Sequence, residues 1–553
     1  MKLLIFMIVG FLSLMVSIKL SGQEITSIQD SFKVSGSAGI QLTSYSSNGI
    51  QQRRKPFSYL LNGSINLSKG DFSIPLSFTY SEQERSFSQP FNQFGIAPTY
   101  KWIKAYIGYQ NISWSKFSLA GHQLLGGGVE LTPGKFRIGF VAGRFQRATG
   151  IDTTKVRTYL PAYKRTGFAA KIGYGTETSF IDFVYMRSKD DDSSLPTQYM
   201  DSATMVQPGK NDVLAVKTQL KIASFMNVYG EAAVSVFNRN IKALEKAPSD
   251  DWKALSNIVG AQTIATHIYF GMEAGTNFNF KGQNLSLFYK RIAPDFQSMG
   301  AYFIENDLNA YGIRHNFGFW QNKAQVSYGM SIYSDNLMNK KPVTTYRYQP
   351  NINLSLNPSQ NWGVDVSWMD LYTKQKDGFV SVNDTIIMQN RNPGFTISPR
   401  VNWGNTSLYH MVVASYMNMR MVDNNAFTAA YMEYSTQIIN LMYNLSLLQS
   451  QASIFVGVNH TKNITNAFTE TGNGGSIGYN QTWQEGKITA NGALGLQASD
   501  INKNYTINAG LNYNLKKRHN FGVNISFLNN KSDNINSQNF TEFTGVLRYT
   551  INF

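Results

Sequence analysis

The chain lacks cysteine, is poor in charge and has no long apolar runs, and each absence excludes a class of protein. Without cysteine among 553 residues, a disulfide framework, a thiolate nucleophile, a cysteine-ligated metal and a lipoprotein anchor are all excluded. Charged residues make up 15% of the chain, against about 25% in ordinary soluble domains. After residue 22 there is no apolar run of about 18–20 residues, the length that a membrane-spanning helix requires.

Aromatic residues and an alternating pattern are what the chain has instead. It contains 30 Tyr, 36 Phe and 45 Gly, with a mean hydropathy of −0.25. In residues 505–515 every second residue from Tyr505 to Leu515 is apolar, and residues 521–527 repeat this pattern after the polar turn 516–519. Such segments predict antiparallel strands with one apolar face. A soluble all-β chain of this length would divide into several domains, but no Pro-, Ser- or charge-rich linker marks a division.

Turn signals allow the strands to be counted. Short turns alternate with longer polar stretches such as 44–56, 188–208 and 239–260, and outer-membrane barrels have short turns at one end and longer loops at the other. Roughly 12 tight turns and about 13 longer loops predict a single closed antiparallel transmembrane β-barrel of about 26 strands, within a range of 24–26, without a plug domain. An even count requires a turn near Trp102 inside the segment 94–110. The other tight turns are predicted at 69–71, 132–134, 175–177, 224, 281–283, 321–322, 358–360, 404–405, 449–451, 484–486 and 516–519.

The last strand, "FTGVLRYTINF", predicts how the cylinder closes. Its apolar positions alternate with polar ones up to the terminal aromatic residue. We expect this strand to pair with the first one, near 32–44, and to place aromatic side chains in a girdle at the membrane–water boundary. A terminal Phe on such a strand also resembles the signal that bacterial barrels present to their assembly machinery. The predicted closure and girdle residues are Phe543, Leu547, Tyr549, Ile551 and Phe553.

The N-terminus reads as an export signal. Lys2 precedes a short apolar core from Leu3 to Val16, and Ser21 and Gly22 supply small residues before a cleavage point at Gln23. We therefore predict a signal peptide at 1–22, a short periplasmic segment at 23–31 and the barrel at 32–553. An N-terminal membrane anchor is the alternative, but its apolar core is short.

Basic residues exceed acidic ones, with a formal net charge of +16. A basic chain can bind nucleic acid, but no dense Lys/Arg run interleaved with aromatic residues is present, and we predict no nucleic-acid partner. Outer-membrane lipids and lipopolysaccharide phosphates are the expected contacts of these cations. By parity of position, the predicted lumen-facing charges are Arg137, Asp182, Asp365 and Arg548.

Two segments carry a family resemblance. The loop "PFNQFGIAP" and the turn "ELTPGK", within "GGGVELTPGKFRIGFVAGRFQRA", resemble a family of large, mostly uncharacterised outer-membrane barrels of the Bacteroidota. The resemblance covers the N-terminal third of the chain. It implies an outer-membrane location and the barrel fold, and it brings no substrate or binding residues with it.

A barrel of this width raises the question of what obstructs it. Barrels of 16–18 strands already leave an aqueous channel, so we expect either inward-folded loops or a partner protein, such as a protein plug or a surface lipoprotein. The segment 247–260 could form a short amphipathic helix in the mouth, with Ser249 as its N-cap, or an exposed loop. The leading hypothesis is a transport or export channel gated by loops or a partner. The alternative is a scaffold for a surface lipoprotein or secretion component.

A barrel-wall enzyme is the third class. It would need a clustered Ser/His/Asp or similar set, whereas the six histidines are scattered. His122, near Ser118, is expected to be a hydrogen-bonding surface residue and not a catalyst. "SKDDDSS" at 188–194 offers oxygen ligands for Ca²⁺, but without spaced ligands and glycine a solvated acidic loop is the preferred interpretation. We predict no catalytic residue, no metal site and no cofactor.

Overall fold

A computed structural model describes most of the barrel. The predicted signal peptide, the segment 23–31 and most of the predicted loop helix at 247–260 lie outside the described residues. The described residues are 32–81, 93–150, 161–195, 206–246, 258–260, 262–383, 385, 387–516, 518–532 and 538–553.

Nearly all described elements are β-strands of one antiparallel sheet. The first half of the wall contains β1 (Lys33–Asn48), β2 (Phe57–Lys69), β3 (Phe72–Ser81), β4 (Gln93–Ile96), β5 (Thr99–Tyr100), β6 (Ile103–Ile112), β7 (His122–Leu131), β8 (Phe136–Gln146), β9 (Lys164–Gly175), β10 (Phe180–Asp191), β11 (Lys210–Ala223), β12 (Met226–Asn238), β13 (Thr266–Phe280) and β14 (Gln283–Ile292). The second half contains β15 (Leu308–Phe319), β16 (Ala324–Ser334), β17 (Val343–Leu356), β18 (Trp362–Met369), β19 (Tyr372–Asp377), β20 (Gln389–Arg391), β21 (Gly394–Gly404), β22 (Leu408–Asp423), β23 (Tyr434–Leu447), β24 (Ala452–Thr465), β25 (Thr469–Trp483), β26 (Ile488–Ser499), β27 (Asn502–Leu515), β28 (His519–Ser532) and β29 (Phe540–Asn552).

The sheet closes on itself through its first and last strands. β1 pairs with β29 over twelve residue pairs, from Ser37 with Asn552 to Asn48 with Thr541. Most other strands pair with their neighbours along the chain, and the remaining pairings skip one or two strands, as in β3 with β5, β4 with β6, β18 with β21 and β20 with β22. The predicted closed antiparallel barrel is therefore confirmed, and so is the expectation that the C-terminal strand closes it.

Three wall elements are interrupted, and each interruption lies at a proline. β4 and β5 both pair with β3 and β6, and the gap between them contains Pro98 and faces Pro75, whose carbonyl accepts the N–H of Ala97. The gap between β18 and β19 faces Pro350 of β17, and Pro393 separates β20 from β21. Proline cannot donate to a strand ladder. Counting each interrupted pair as one complete crossing of the wall, which we call a stave, the barrel has 26 staves, as predicted.

The two ends of the barrel differ as the turn signals predicted. All the predicted tight turns connect consecutive staves, including the one at 101–102 that the even count required. The turn at Lys281 and Gly282 has positive φ at both residues, the geometry of a two-residue hairpin turn matched to strand twist. One four-residue helix, α1 (Ala429–Met432), lies in a loop at the other end. Within the described part of the chain, no helix is long and apolar enough to cross a membrane.

Candidate functional site

The two faces of the wall carry different side chains. On β8, Phe136 and Phe140 are exposed by 56% and 48%, whereas Val141 on the opposite face is fully buried. β10 repeats the pattern, with Ile181 and Phe183 exposed and Val184 buried. An apolar exposed face is typical of a barrel surface in contact with lipid. The buried side chains lie on the other face, and segments of the chain itself cover them.

The segment 113–121, which connects β6 to β7 and which we call the chord segment, supplies most of this cover. The indole Nε1 of Trp114 donates to Glu130 on β7. The hydroxyl of Ser115 donates to Glu231 on β12 at 2.5 Å, and the Nζ of Lys116 lies 2.7 Å from Glu273 on β13. Three consecutive residues thus reach staves that lie six apart along the wall. Such a path requires the concave side, so the chord segment crosses this part of the lumen.

Carboxylates of the wall hold the chord segment at each of these three contacts. Glu130 accepts from Trp114, from the Tyr106 hydroxyl at 3.1 Å and from the Lys171 ammonium at 3.0 Å. Glu231 is 7% exposed and also accepts the backbone N–H of Phe117 at 3.4 Å. Hydrogen bonds to ionised groups contribute about 1.5–3 kcal/mol each. The contacts are therefore specific anchors for the chord segment.

An apolar cluster fills the space between the chord segment and the wall. The rings of Phe117 and Phe296 meet edge to face, with centroids 5.7 Å apart. Burial of such side chains stabilises the docked arrangement by about 1.5–3 kcal/mol each. The wall contributes small and medium apolar side chains to the cluster, namely Val141, Ala169, Val184, Met186, Val213, Ala215 and Ala233.

A second segment, 293–307, connects β14 to β15, and we call it the shelf segment. It holds the chord segment through hydrogen bonds. The Ser298 hydroxyl donates to the Ser118 carbonyl at 2.8 Å, and the Ala120 N–H donates to the Gly300 carbonyl at 3.1 Å. The shelf segment is itself held on the wall, because the Met299 N–H donates to Asn211 at 3.0 Å. The two segments therefore form one inward-folded unit over β7–β14.

Beside this unit lies an open polar recess. A cavity of about 1010 Å³ extends along the tight-turn end of β13–β18, next to the filled sector. Amide and hydroxyl side chains dominate its lining, among them Asn279, Asn316, Gln325, Asn353 and Ser355. Polar walls of this kind, with Lys281 and Asp365 as the charged residues of the lining, are compatible with passage of hydrated solutes.

Most of the four predicted lumen charges are neutralised within the wall. Arg137 forms two hydrogen bonds with Asp182, at 2.7 and 3.0 Å, on the face opposite the exposed apolar residues. Asp365 accepts from Arg400 at 3.0 Å. Arg548 donates instead to the neutral amide of Gln41 at 3.1 Å. The pairing leaves little net field at Arg137, Asp182 and Asp365 for an anionic solute.

The predicted girdle residues lie on or directly after the closing strand. Phe543, Leu547 and Phe553 are exposed by 38%, 53% and 37%, and the ring of Tyr549 packs in a tilted orientation against that of Phe521, with centroids 4.8 Å apart. The backbone N–H of Phe553 donates to Gly36 across the closure. Their role as a membrane girdle stays a prediction.

His122 is not a surface residue, and this part of the sequence interpretation was wrong. It is fully buried, with its Nε2 2.8 Å from the Phe145 carbonyl and its ring 4.4 Å from that of Tyr302. The chord and shelf segments bury it, an arrangement that joins residues far apart in the sequence. Within the described residues its hydrogen bond is to a backbone carbonyl. This contact and its burial indicate a packing role.

The acidic stretch 188–194 begins in β10 and is paired with basic side chains, while Asp191 and Asp192 also remain partly exposed. Asp190 is buried and binds Arg165 at 2.8 Å, whereas Asp191 and Asp192 lie near Lys164 and Lys242. Among the described residues, no group of three or more His, Cys, Asp or Glu side chains could hold a metal ion. Each of the three carboxylates is instead paired with an Arg or Lys side chain.

Sequence reasoning missed the chord segment. The segment considered for the mouth was 247–260, either as a short helix or as an exposed loop; only 258–260 are described, with the Val259 carbonyl accepting from Lys210. The signal available in the sequence was "SWSKFSLAG", an aromatic-rich stretch in a position where other long loops are polar. Nothing local, however, indicates that Ser115 meets Glu231, 116 residues away.

Comparisons with known proteins return only distant structural likeness. No protein-family model and no curated protein matches the chain. The translocation pore of the P pilus usher PapC is 10% identical, with 94% of this chain and 99% of that chain covered and a TM-score of 0.39. A BenF-like porin from Pseudomonas fluorescens Pf-5 is 10% identical, with 94% and 99% covered and a TM-score of 0.30. BauA, the ferric preacinetobactin receptor from Acinetobacter baumannii, is 10% identical, with 94% and 81% covered and a TM-score of 0.38.

Proposed function

We propose that this protein is an integral outer-membrane barrel that acts as a transport or export channel, gated by its own inward-folded loops with or without a partner protein. The membrane location is supported by the closed wall with its exposed apolar outer face, because a closed barrel satisfies every backbone group in lipid. The export signal at 1–22 and the family resemblance of the N-terminal third agree with it as predictions.

The channel role rests on one observation, the partial filling of a wide lumen. The chord and shelf segments cover the inner face of β7–β14, whereas a polar recess of about 1010 Å³ remains open beside them. A wall whose inner face is polar in one sector and covered by a docked loop in another has the parts of a gated pore. Passage depends on size, polarity and the position of the chord segment, without a catalytic step.

Conductance of the purified chain in planar bilayers tests this proposal. The informative variant replaces 113–121 with a Gly/Ser segment of equal length, and the matched control replaces loop 49–56, which connects β1 to β2 outside the covered sector, in the same way. We expect low or flickering conductance for the wild type and the control, and large steady conductance for the chord variant. Heat-dependent mobility on gels verifies that each variant is a closed barrel.

The alternative is a structural scaffold for a surface lipoprotein or secretion component. A specific observation favours it, namely the hydrogen bonds that join the long loops between residues 293 and 468 into a rim. If neither the wild type nor the chord variant conducted ions in bilayers, the channel proposal would be rejected and the scaffold would be favoured. Large steady conductance of the wild type would reject gating by the chord segment.

A further inference from the structure

Five loops at the long-loop end form one continuous rim. Asp307 accepts the backbone N–H groups of Asn336 and Leu337 at 3.0 and 2.9 Å, which joins the shelf segment to loop 335–342. The N–H of Gly378 donates to the Pro342 carbonyl at 2.8 Å, which joins loop 335–342 to loop 378–388.

The remaining two links continue in the same way. The Asn425 side-chain amide donates to the Ile387 carbonyl at 2.8 Å, which connects loop 378–388 to loop 424–433. Asn466 donates to the Ala430 carbonyl at 2.9 Å, which connects loop 424–433 to loop 466–468. We call this rim, from 293 to 468, the rim platform.

The rim platform presents apolar side chains to water. Most uninterrupted staves beneath it exceed the length of about 9–11 residues that crosses a bilayer. The staves β15, β17, β22, β23, β24 and β25 have 12–16 residues, whereas β14 and β16 have 10 and 11. The loops therefore stand beyond the hydrocarbon layer, and lipid does not account for their apolar residues. These exposed residues are Phe303, Met338, Phe379, Val380, Met388, Phe427, Tyr431, Met432 and Phe468, with Phe303 and Tyr431 exposed by 101% and 88%.

The charge of the rim platform differs from that of the whole chain. Its loops contain six acidic and two basic residues, a net charge of −4, in a chain of net charge +16. Arg239 and Arg347, from outside these loops, pair with Asp295 and Glu305, which leaves −2. A negative surface repels lipopolysaccharide phosphates and also a second copy of itself, but attracts a basic surface.

We propose that the rim platform is the docking surface for a separate protein whose contact face is basic and apolar. The exposed aromatic residues are the type that dominates binding energy at protein interfaces, and the links between the loops hold them in place before binding. The inference rests on the proposed membrane orientation, in which the long loops face the cell exterior. It does not depend on whether the lumen conducts.

Site-specific photo-crosslinking in native membranes tests the proposal. A photoreactive phenylalanine analogue replaces Tyr431 in the full chain, and the matched control carries it at Leu244, which is 78% exposed on a loop outside the rim platform. We expect a crosslink from position 431, and none from 244, to a protein with a basic contact face. A crosslink to a second copy, to lipopolysaccharide or to nothing would overturn the proposal.

A substitution series supplies the second measurement. The variant Phe427→Ser with Tyr431→Ser and Phe468→Ser should reduce recovery of the crosslinked protein by about tenfold or more after mild detergent extraction. The control variant, Leu244→Ser with Ile264→Ser, removes equally exposed apolar residues and should keep it. Equal recovery from both variants would contradict the assignment. Bilayer conductance measured on the same variants separates this outcome from failure of the channel proposal.

Discussion

The wall over β7–β13 and the wall over β22–β29 both have an apolar outer face. Their inner faces differ, because one is apolar and the other is polar. In the first sector the inner face carries fully buried Val184 and Met186 beneath the chord segment. In the second sector it carries amides such as Asn508 and Asn512, which directly follow the exposed outer residues Ile507 and Leu511. Beyond Ala324, only Ile387 and Ala452 are buried apolar side chains among the described residues. The inner face therefore decides where a loop can dock, because an apolar loop releases water only from an apolar wall.

Making the inner face of the first sector polar, like that of the second, should have the largest effect on conductance. In the double variant Val184→Asn and Met186→Asn, loss of buried apolar contacts and burial of unpaired amides should destabilise the docked chord segment by about 3 kcal/mol or more. We expect a large rise in single-channel conductance. Asn508→Val in β27 is the control and should leave conductance at the wild-type level. Unchanged conductance in the double variant would show that the two sectors do not differ in this way.

Removing a single anchor should have a smaller effect. Glu231→Ala leaves the Ser115 hydroxyl and the Phe117 N–H without this acceptor, at a cost of about 1–3 kcal/mol. Conductance traces should show more frequent and longer openings, not a permanently open pore. Glu231→Gln keeps an acceptor oxygen and should lie between Ala and the wild type. If Ala and the wild type had the same open probability, Glu231 would not be an anchor.

Acid should loosen the rim platform before the wall. Burial alone would raise the pKa of Asp307, but hydrogen bonds from Lys341 and from the N–H groups of Leu337 and Asn336 outweigh it and lower that pKa. A lowered folded-state pKa stabilises the link above the ordinary carboxyl pKa of about 3.9, and the stabilisation is lost as the pH falls through the lowered value. The protection of the amide hydrogens of residues 336 and 337 against exchange, relative to their intrinsic rates, should therefore be high at neutral pH and fall below about pH 4.

Asp307→Asn provides the control for that measurement. The neutral amide loses the charge-assisted bond with Lys341, which lies 2.5 Å from Asp307. Protection at residues 336 and 337 should therefore be lower at neutral pH and should not change with acid over this range. Equal acid sensitivity in the variant would assign the effect to another group. Strand amides in β22–β29 should remain protected in both proteins.

The smallest expected effect concerns ion selectivity. Arg548 faces a neutral amide, whereas Arg137 is paired with Asp182. Arg548→Gln should therefore lower the anion-to-cation permeability ratio modestly, and Asp182→Asn should raise it by freeing Arg137. Reversal potentials in a salt gradient measure both. Similar ratios in the two variants would mean that local pairing does not control the lumen field.

Much of the barrel could be read from local patterns, because its determinants are local. A two-residue alternation sets which face of a strand is apolar, and tight turns such as Lys281-Gly282 mark where the chain reverses. The turn near Trp102 followed from the even count alone. The three stave interruptions at Pro98, Pro350 and Pro393 were not predicted, although the missing N–H of proline accounts for them.

The inward-folded unit could not be read in this way, because its contacts join distant positions. Ser115 meets Glu231 and Ser298 meets Ser118, 180 residues apart, and no periodicity connects such pairs. His122 was misread as a surface residue for the same reason, since the segments that bury it are neighbours only after the barrel has formed. For the predicted lumen-facing charges, the parity of sequence position indicated which face of the wall they occupy. It did not indicate which residues they pair with.

By itself, the sequence determined a closed tube of 26 staves with an apolar exterior, since strand faces and reversals depend on residues a few positions apart. Only the tertiary structure decided that loop 113–121 crosses the lumen, that the shelf segment holds it there and that five loops join into a rim. Those arrangements depend on complementary shapes and hydrogen bonds between segments that are distant in the sequence and meet only in the folded barrel.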